Sequence, residues 1–228
     1  MNTVSEKRIF TYSEKQYDEL ALHSKAMVAW NRNLAVENSF IFSLFGGLLE
    51  STLQCGTCGY KSTTFEIFWD ISISLPLGKA STLEECLKIF FGQELLDQAY
   101  LCAKCKTSRR FTKQLSIYRF PYVMTMHLKR YKSARFGFKG KLAYTVKYPS
   151  VLLISESQCC IPGHQNSPKY TLVSVSNHFG GISGGHYTAA TKSVKTNTDD
   201  WLNRNDEKVS VNLKHDYEAA YILFYQKE

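Results

Sequence analysis

Tyr17, Leu20, Ala21, Ser24, Met27 and Val28 recur at helical spacing behind Ser13 and Gln16, which stand in capping-box order, so an amphipathic helix is predicted over about residues 14–31. Ser39 to Phe45 is a short apolar segment stopped by Gly46-Gly47, and Leu48 to Leu53 reads as a strand. The period then changes from helical to alternating. Phe65, Ile67, Trp69, Ile71, Ile73 and Leu75 fill every odd position of one stretch, the pattern of a half-buried strand that Pro76 ends. Thr82 and Glu85 form a second capping box, ahead of a helix whose core face is Leu83, Leu87, Phe90 and Phe91 and which Gly92 closes. Residues 111–118, 123–130, 170–177, 187–192 and 219–225 read as strands, with Pro121 as a breaker, and 155–167 as a loop. Helices come first and a mostly antiparallel sheet follows, with no βαβ alternation and no internal repeat. The fold class is α+β, and no linker divides the chain.

Composition narrows the classes. At 228 residues, with 44% hydrophobic and 14% aromatic positions, the chain can fill a packed core. It has no run of 18 uncharged apolar residues and no apolar N-terminal stretch, so the expectation is a cytoplasmic or nuclear protein without a membrane partner. The net charge of +8 admits acidic partners. Its densest cluster, Lys129, Arg130, Lys132, Arg135, Lys139 and Lys141, is short and reads as a solvated basic face, which leaves nucleic acid the weaker reading.

Seven cysteines include two Cys-x-x-Cys pairs, Cys55/Cys58 and Cys102/Cys105, with 43 residues between them. Two pairs of thiolates suit one tetrahedral zinc ion, and Gly56, Gly59 and Ala103 allow each pair a tight knuckle. Four sulfur ligands leave no open position, so the ion would be structural.

Among six histidines, His186 stands apart because Gly180, Gly181, Gly184 and Gly185 leave the backbone beside it bare to an extended peptide. Asn205 and Asp206, 19 and 20 residues downstream, can orient a base. His127 and His178 read as structural, whereas His23, His164 and His215 lie in polar surroundings.

Six stretches in this order resemble the ubiquitin-specific protease family. They are the first cysteine pair with Phe65-Glu66 and the run to Pro76, then Met126 to Tyr131, Asn177 to Gly180, Gly184 to Ala189, Trp201 to Asp206, and Ala220 to Tyr225. The resemblance covers roughly Leu34 to Glu228. It implies a papain-like cysteine hydrolase that cleaves after the C-terminal glycine of ubiquitin, with fingers over about 48–120, palm over about 121–228 and most of the thumb absent. By that resemblance Cys55, Cys58, Cys102 and Cys105 hold structural zinc at the fingers' tip. His186 is the general base, Asn205 orients it and Asp206 is the neighbouring acidic position. Gly184, Gly185 and Tyr187 line the channel for the tail of ubiquitin, and ubiquitin or ubiquitinated proteins are the implied partners.

Two departures qualify the resemblance. The family's Gly-Asn-Thr-Cys nucleophile motif and its Gln-Gln-Asp motif do not occur here, and Arg204 replaces an aromatic residue. Cys159 and Cys160 precede His186 but sit with Pro162 in a loop, and Cys86 falls in an apolar helix. The expectation is a deubiquitinase relative that is inactive alone. A non-catalytic ubiquitin-binding scaffold is the second reading, and a zinc-stabilised nucleic-acid module, marked by steep salt dependence, is the third.

Overall fold

The computed structural model describes residues 13, 16–17, 19–131, 140–155, 168–181, 184–193, 200–212 and 215–228. These residues form two compact units.

The first unit takes its described residues from Met1–Trp69 and Phe91–Pro121. It holds helices α1 (Leu22–Val36) and α2 (Phe40–Phe45) and a four-stranded antiparallel sheet. The strands are β1 (Gly47–Cys55), β2 (Lys61–Phe68), β5 (Glu94–Leu101) and β6 (Ser108–Arg119), in spatial order β2-β1-β6-β5. The helices pack on one end of the sheet through Ala26, Trp30, Phe42, Leu48 and Phe65. The Arg119 guanidinium lies 3.9 Å from the centroid of the Trp30 ring, a cation–π contact that caps this core. At the other end Cys55, Cys102 and Phe111 form a separate small core.

The second unit takes its described residues from Asp70–Phe90, Tyr122–Ser155 and Gln165–Glu228. Its sheet runs β13-β12-β11-β10-β14-β7-β3, with β9 (Val151–Leu153) also paired to β10. The remaining members are β3 (Ile71–Ser74), β7 (Val123–Lys129), β10 (Lys169–Gly180), β11 (Gly185–Lys192), β12 (Trp201–Asn205), β13 (Lys208–Asn212) and β14 (Ala220–Lys227). Every pairing in that sheet is antiparallel except β3 with β7. Helix α3 (Leu83–Phe90) follows β4 (Ser81–Thr82), which pairs in parallel with β8 (Val146–Lys147). Mostly antiparallel sheets with few helices agree with the α+β expectation.

Local chemistry explains several boundaries. Thr82 and Glu85 exchange the two bonds of a capping box, at 3.0 and 3.2 Å, and start α3 where the pattern places it. Leu83, Cys86 and Leu87 are its buried face, so Cys86 is a small core residue with its sulfur 3.5 Å from Ser81 Oγ. The Ser13–Gln16 box also forms, with Gln16 and Tyr17 helical behind it. Ala21 is extended, with ψ of 151°, and α1 begins after it and runs to Val36. Its buried positions are Ala26 and Trp30, a face out of phase with the expected one.

The predicted strand from Phe65 to Leu75 is two strands in two sheets, β2 and β3, interrupted at Trp69-Asp70. Odd positions stay apolar across the break, so the period carries no sign of it. Strand β5 and the β12–β13 hairpin are further additions to the expected elements. β5 is exposed at seven of its eight positions and has no buried face to impose alternation. The loop reading of 155–167 is mostly outside the described residues.

Arg130 departs from the solvated basic face. It is fully buried. Its Nε donates to Ala220 O at 2.6 Å, Nη1 to Leu142 O and Tyr144 O at 2.9 and 2.8 Å, and Nη2 to Tyr217 O at 2.8 Å. One guanidinium thereby ties the end of β7 to the segment before β8 and to the start of β14.

Candidate active site and cysteine cluster

Alternation places His186 and Asn205 together. Ala190 pairs with Asn203, His186 lies four residues before Ala190 on β11, and Asn205 lies two after Asn203 on β12, so both project from one face of the sheet. His186 Nε2 lies 2.6 Å from Asn205 Oδ1. With the amide oxygen accepting, Nε2 carries the ring proton and Nδ1 keeps the lone pair that can take another. Asn205 pairs with Lys208 across a two-residue turn, in which Asp206 adopts a positive φ of 51°. The Asp206 Oδ2 atom stands 4.0 Å from the same Nε2, and its side chain is largely exposed. Arg204 belongs to the opposite face, where its Nε donates to Thr191 Oγ1 at 3.1 Å. An arginine is therefore tolerated there without entering the packing around Asn205.

The two glycines before His186 differ in kind. A Cβ on Gly184 would meet nothing within 4 Å, whereas one on Gly185 would lie 2.3 Å from His178 Nε2 and 2.3 Å from Phe179 O. Both glycines are exposed, but the space a Cβ would take is occupied at Gly185 and open at Gly184. Gly180, with φ of +109°, pairs with Gly185. Ile182 and Ser183 lie outside the described residues.

His178 is the structural histidine of this site. It is buried, its backbone N–H donates to Ala219 O at 2.8 Å, and its Nδ1 lies 2.6 Å from the Tyr131 hydroxyl. Lys141 donates to its carbonyl. The exposed Tyr187 ring stacks 4.5 Å from the imidazole, and Tyr131 and Tyr221 complete an aromatic patch. A bulge between Ile222 and Ala220, opposite Ser176 and Asn177, accommodates Tyr221. Lys141 stands in the basic cluster of the sequence and Tyr131 and Tyr221 in stretches of the family resemblance, but nothing there connects them with His178, because three separate segments deliver them and no spacing links them.

Burial holds His127, His178 and His215 below the ordinary histidine range, with Lys141 adding to the effect at His178. The unfolded chain binds protons at these rings near pH ~6.5 while the folded chain resists, so stability should be level above pH ~7 and decline as pH falls through ~6.5. Urea midpoints at pH 7.5 and 5.5 test this, and ring-proton titrations assign the slope. Equal midpoints would remove these histidines from the stability account.

The four paired cysteines also meet. Their sulfurs all lie within 4.8 Å of one another, Cys55 and Cys102 buried, Cys58 and Cys105 half-buried. Each pair sits in a knuckle, one between β1 and β2 and one between β5 and β6. Gly59 N–H donates to Cys55 O at 3.0 Å in the first, Lys106 N–H to Cys102 O at 2.8 Å in the second, and Gly56 N–H joins them through Arg110 O at 3.0 Å. The Cys58 backbone N–H pulls the Cys55 thiol down to about 6, and the Cys105 N–H lowers Cys102. The neighbouring Cys58 sulfur pushes Cys105 up to about 12. Sulfurs this crowded cannot all be thiolates without a cation among them, and the donor set fits one tetrahedral metal ion.

A family model described as ubiquitin carboxyl-terminal hydrolase matches residues 8–225. This chain belongs to that family. Ubiquitin carboxyl-terminal hydrolase Usp2 of Drosophila melanogaster is 38% identical over 219 residues, covering 92% of this hydrolase-family chain and 22% of the fly protein. Ubiquitin carboxyl-terminal hydrolase 2 of Gallus gallus is also 38% identical over 219 residues, with 59% of its length covered. The chain thus spans less than two thirds of these relatives. Among solved structures, the SAGA Ubp8/Sgf11/Sus1/Sgf73 DUB module bound to ubiquitin aldehyde matches with a TM-score of 0.74 at 29% identity, over 84% of this chain and 43% of the other. A variant of the same SAGA DUB module bound to monoubiquitin matches with a TM-score of 0.74 at 28% identity, over 93% and 49%. The five described cysteines of this ubiquitin carboxyl-terminal hydrolase relative are all placed, four in the cluster and Cys86 in the core. Cys159, Cys160 and His164 lie outside the described residues.

Proposed function

We propose that this chain carries the base-bearing part of a thiol-dependent hydrolase acting after the C-terminal glycine of ubiquitin. The observation that carries the reading is the 2.6 Å contact of His186 Nε2 with Asn205 Oδ1, which leaves Nδ1 free to take a thiol proton. Asn205 holds the tautomer and the ring, and Asp206, 4.0 Å away, stabilises the imidazolium that forms. Gly184 and Tyr187 border the path of the ubiquitin tail, with Gly185 held against His178. Cys55, Cys58, Cys102 and Cys105 hold structural zinc, which supplies a crosslink and no chemistry to the hydrolytic step.

Of the five described cysteines four share the cluster and Cys86 lies in the core, which supports the reading that none of them is the nucleophile and that the chain alone binds ubiquitin without turning it over. The test is ubiquitin carrying a thiol-reactive C-terminal group, with the product weighed intact. No adduct on a folded, zinc-loaded chain that still binds ubiquitin is the expected result. An adduct lost in the Cys159→Ala/Cys160→Ala double variant would overturn the claim of inactivity.

The glycine contrast gives a second test. Gly185→Ala should cost about 2 kcal/mol of stability, since backbone and a buried ring must both move. Gly184→Ala should leave stability within ~0.5 kcal/mol yet weaken ubiquitin binding. Calorimetric titration with ubiquitin decides, and unchanged affinity in Gly184→Ala would remove Gly184 from the tail path.

A further inference from the structure

We propose that the four-cysteine cluster is also an oxidation site, at which a peroxide joins Cys58 to Cys102. The inference rests on the reading that these sulfurs share one metal ion, and adds which sulfur is reached first and which one answers it.

Two sulfur approaches stand out, Cys58 to Cys102 at 3.6 Å and Cys55 to Cys105 at 4.0 Å, and both run between the knuckles. Exposure separates the members of each pair. Cys55 and Cys102 are 1% and 0% exposed, while Cys58 and Cys105 are half-buried, so a small oxidant reaches the second cysteine of a knuckle first. The Cys102 sulfur is held in place by the Cys105 N–H at 3.4 Å, facing Cys58.

The chemistry balances without any further reactant. The Cys58 thiolate attacks one oxygen of hydrogen peroxide, the O–O bond breaks, and a sulfenic acid and hydroxide result. The Cys102 thiolate then attacks the Cys58 sulfur, forming the S–S bond and expelling a second hydroxide. Two electrons pass from sulfur to the peroxide oxygens, and two of the four metal ligands are lost. The new bond clips the β1–β2 knuckle to the β5–β6 knuckle, replacing a metal crosslink by a covalent one. Cys55 and Cys105 are left 4.0 Å apart to pair next.

The experiment uses the full zinc-loaded chain titrated with hydrogen peroxide. Zinc release is followed with a chromogenic chelator, and disulfides are mapped by mass spectrometry of unreduced peptides. The expected result is release that parallels a Cys58–Cys102 crosslink as the first product, with Cys86 still reduced. Early Cys55–Cys58 or Cys102–Cys105 bridges, or crosslinks between chains, would overturn it. A chain carrying no zinc at the outset would sink the shared-ion reading, and the map would then judge the pairing alone. In Cys58→Ser the yield of Cys102-containing disulfide should fall at least ~tenfold, and an unchanged yield would also overturn the assignment.

Discussion

Replacing Arg130 with methionine is expected to unfold the second unit under conditions where the parent chain is stable. The guanidinium is fully buried and serves four backbone carbonyls, those of Leu142, Tyr144, Tyr217 and Ala220. Methionine fills much of the volume and offers none of the donors. Each orphaned acceptor costs about 1–3 kcal/mol, so a loss on the order of 4 kcal/mol or more is expected. Burial lowers the guanidinium's own pKa, with Asp216 and Glu218 opposing, yet an arginine so held stays charged. Arg130→Lys should recover little, because one ammonium with three donors cannot span four carbonyls. Urea unfolding followed by backbone circular dichroism measures both variants. A loss below ~1 kcal/mol in the methionine variant would mean that water or the chain re-satisfies these carbonyls.

The second large effect belongs to the cysteine cluster. Chelation of the proposed zinc, or Cys102→Ser, should release the far end of the first unit while leaving its helical end intact. The tip core around Cys55, Cys102 and Phe111 is small, and the helical core is built from other residues, Ala26, Trp30, Phe42, Leu48 and Phe65. Structural thiolate sites contribute on the order of 10 kcal/mol of apparent binding energy, more than so small an apolar cluster can replace. Hydrogen exchange should report the boundary. Amides of Leu53, Gln54 and Phe111 should lose protection after chelation, and those of Trp30 and Leu48 at the helical end should not. Unchanged protection at Phe111 would show that the tip holds itself together.

Much of this was legible in the sequence where a single element carries the signal. The Thr82/Glu85 box and the face of Leu83 and Leu87 gave α3 within a residue or two, and the two identical cysteine spacings gave the cluster. His186 and Asn205 were linked by spacing and by the family resemblance, whereas β12, the strand that puts Asn205 on the face of His186, was not expected. What escaped has no local signature. Arg130 reads as one more cation in a basic run, and only the tertiary fold shows the four carbonyls it serves. The Ser13/Gln16 box does open helical backbone at Gln16 and Tyr17, but extended Ala21 separates it from α1, which the single expected helix did not foresee. Nor does the sequence show that the space a Cβ on Gly185 would fill is taken by His178, a residue seven positions earlier.

The break at Trp69-Asp70 bears on how the chain folds as it is synthesised. All four strands of the first sheet have been delivered once Arg119 has emerged, so that sheet can close while the greater part of the second is still to come. Strand β3 must wait for β7, and β7 for β14, which ends one residue before Glu228. Residues 71–74 gain β7 within ten residues of Arg119, and β7 then keeps its other edge, with Met124 and Met126, unpaired until β14 arrives. That open edge is where a stalled or shortened product would begin to aggregate.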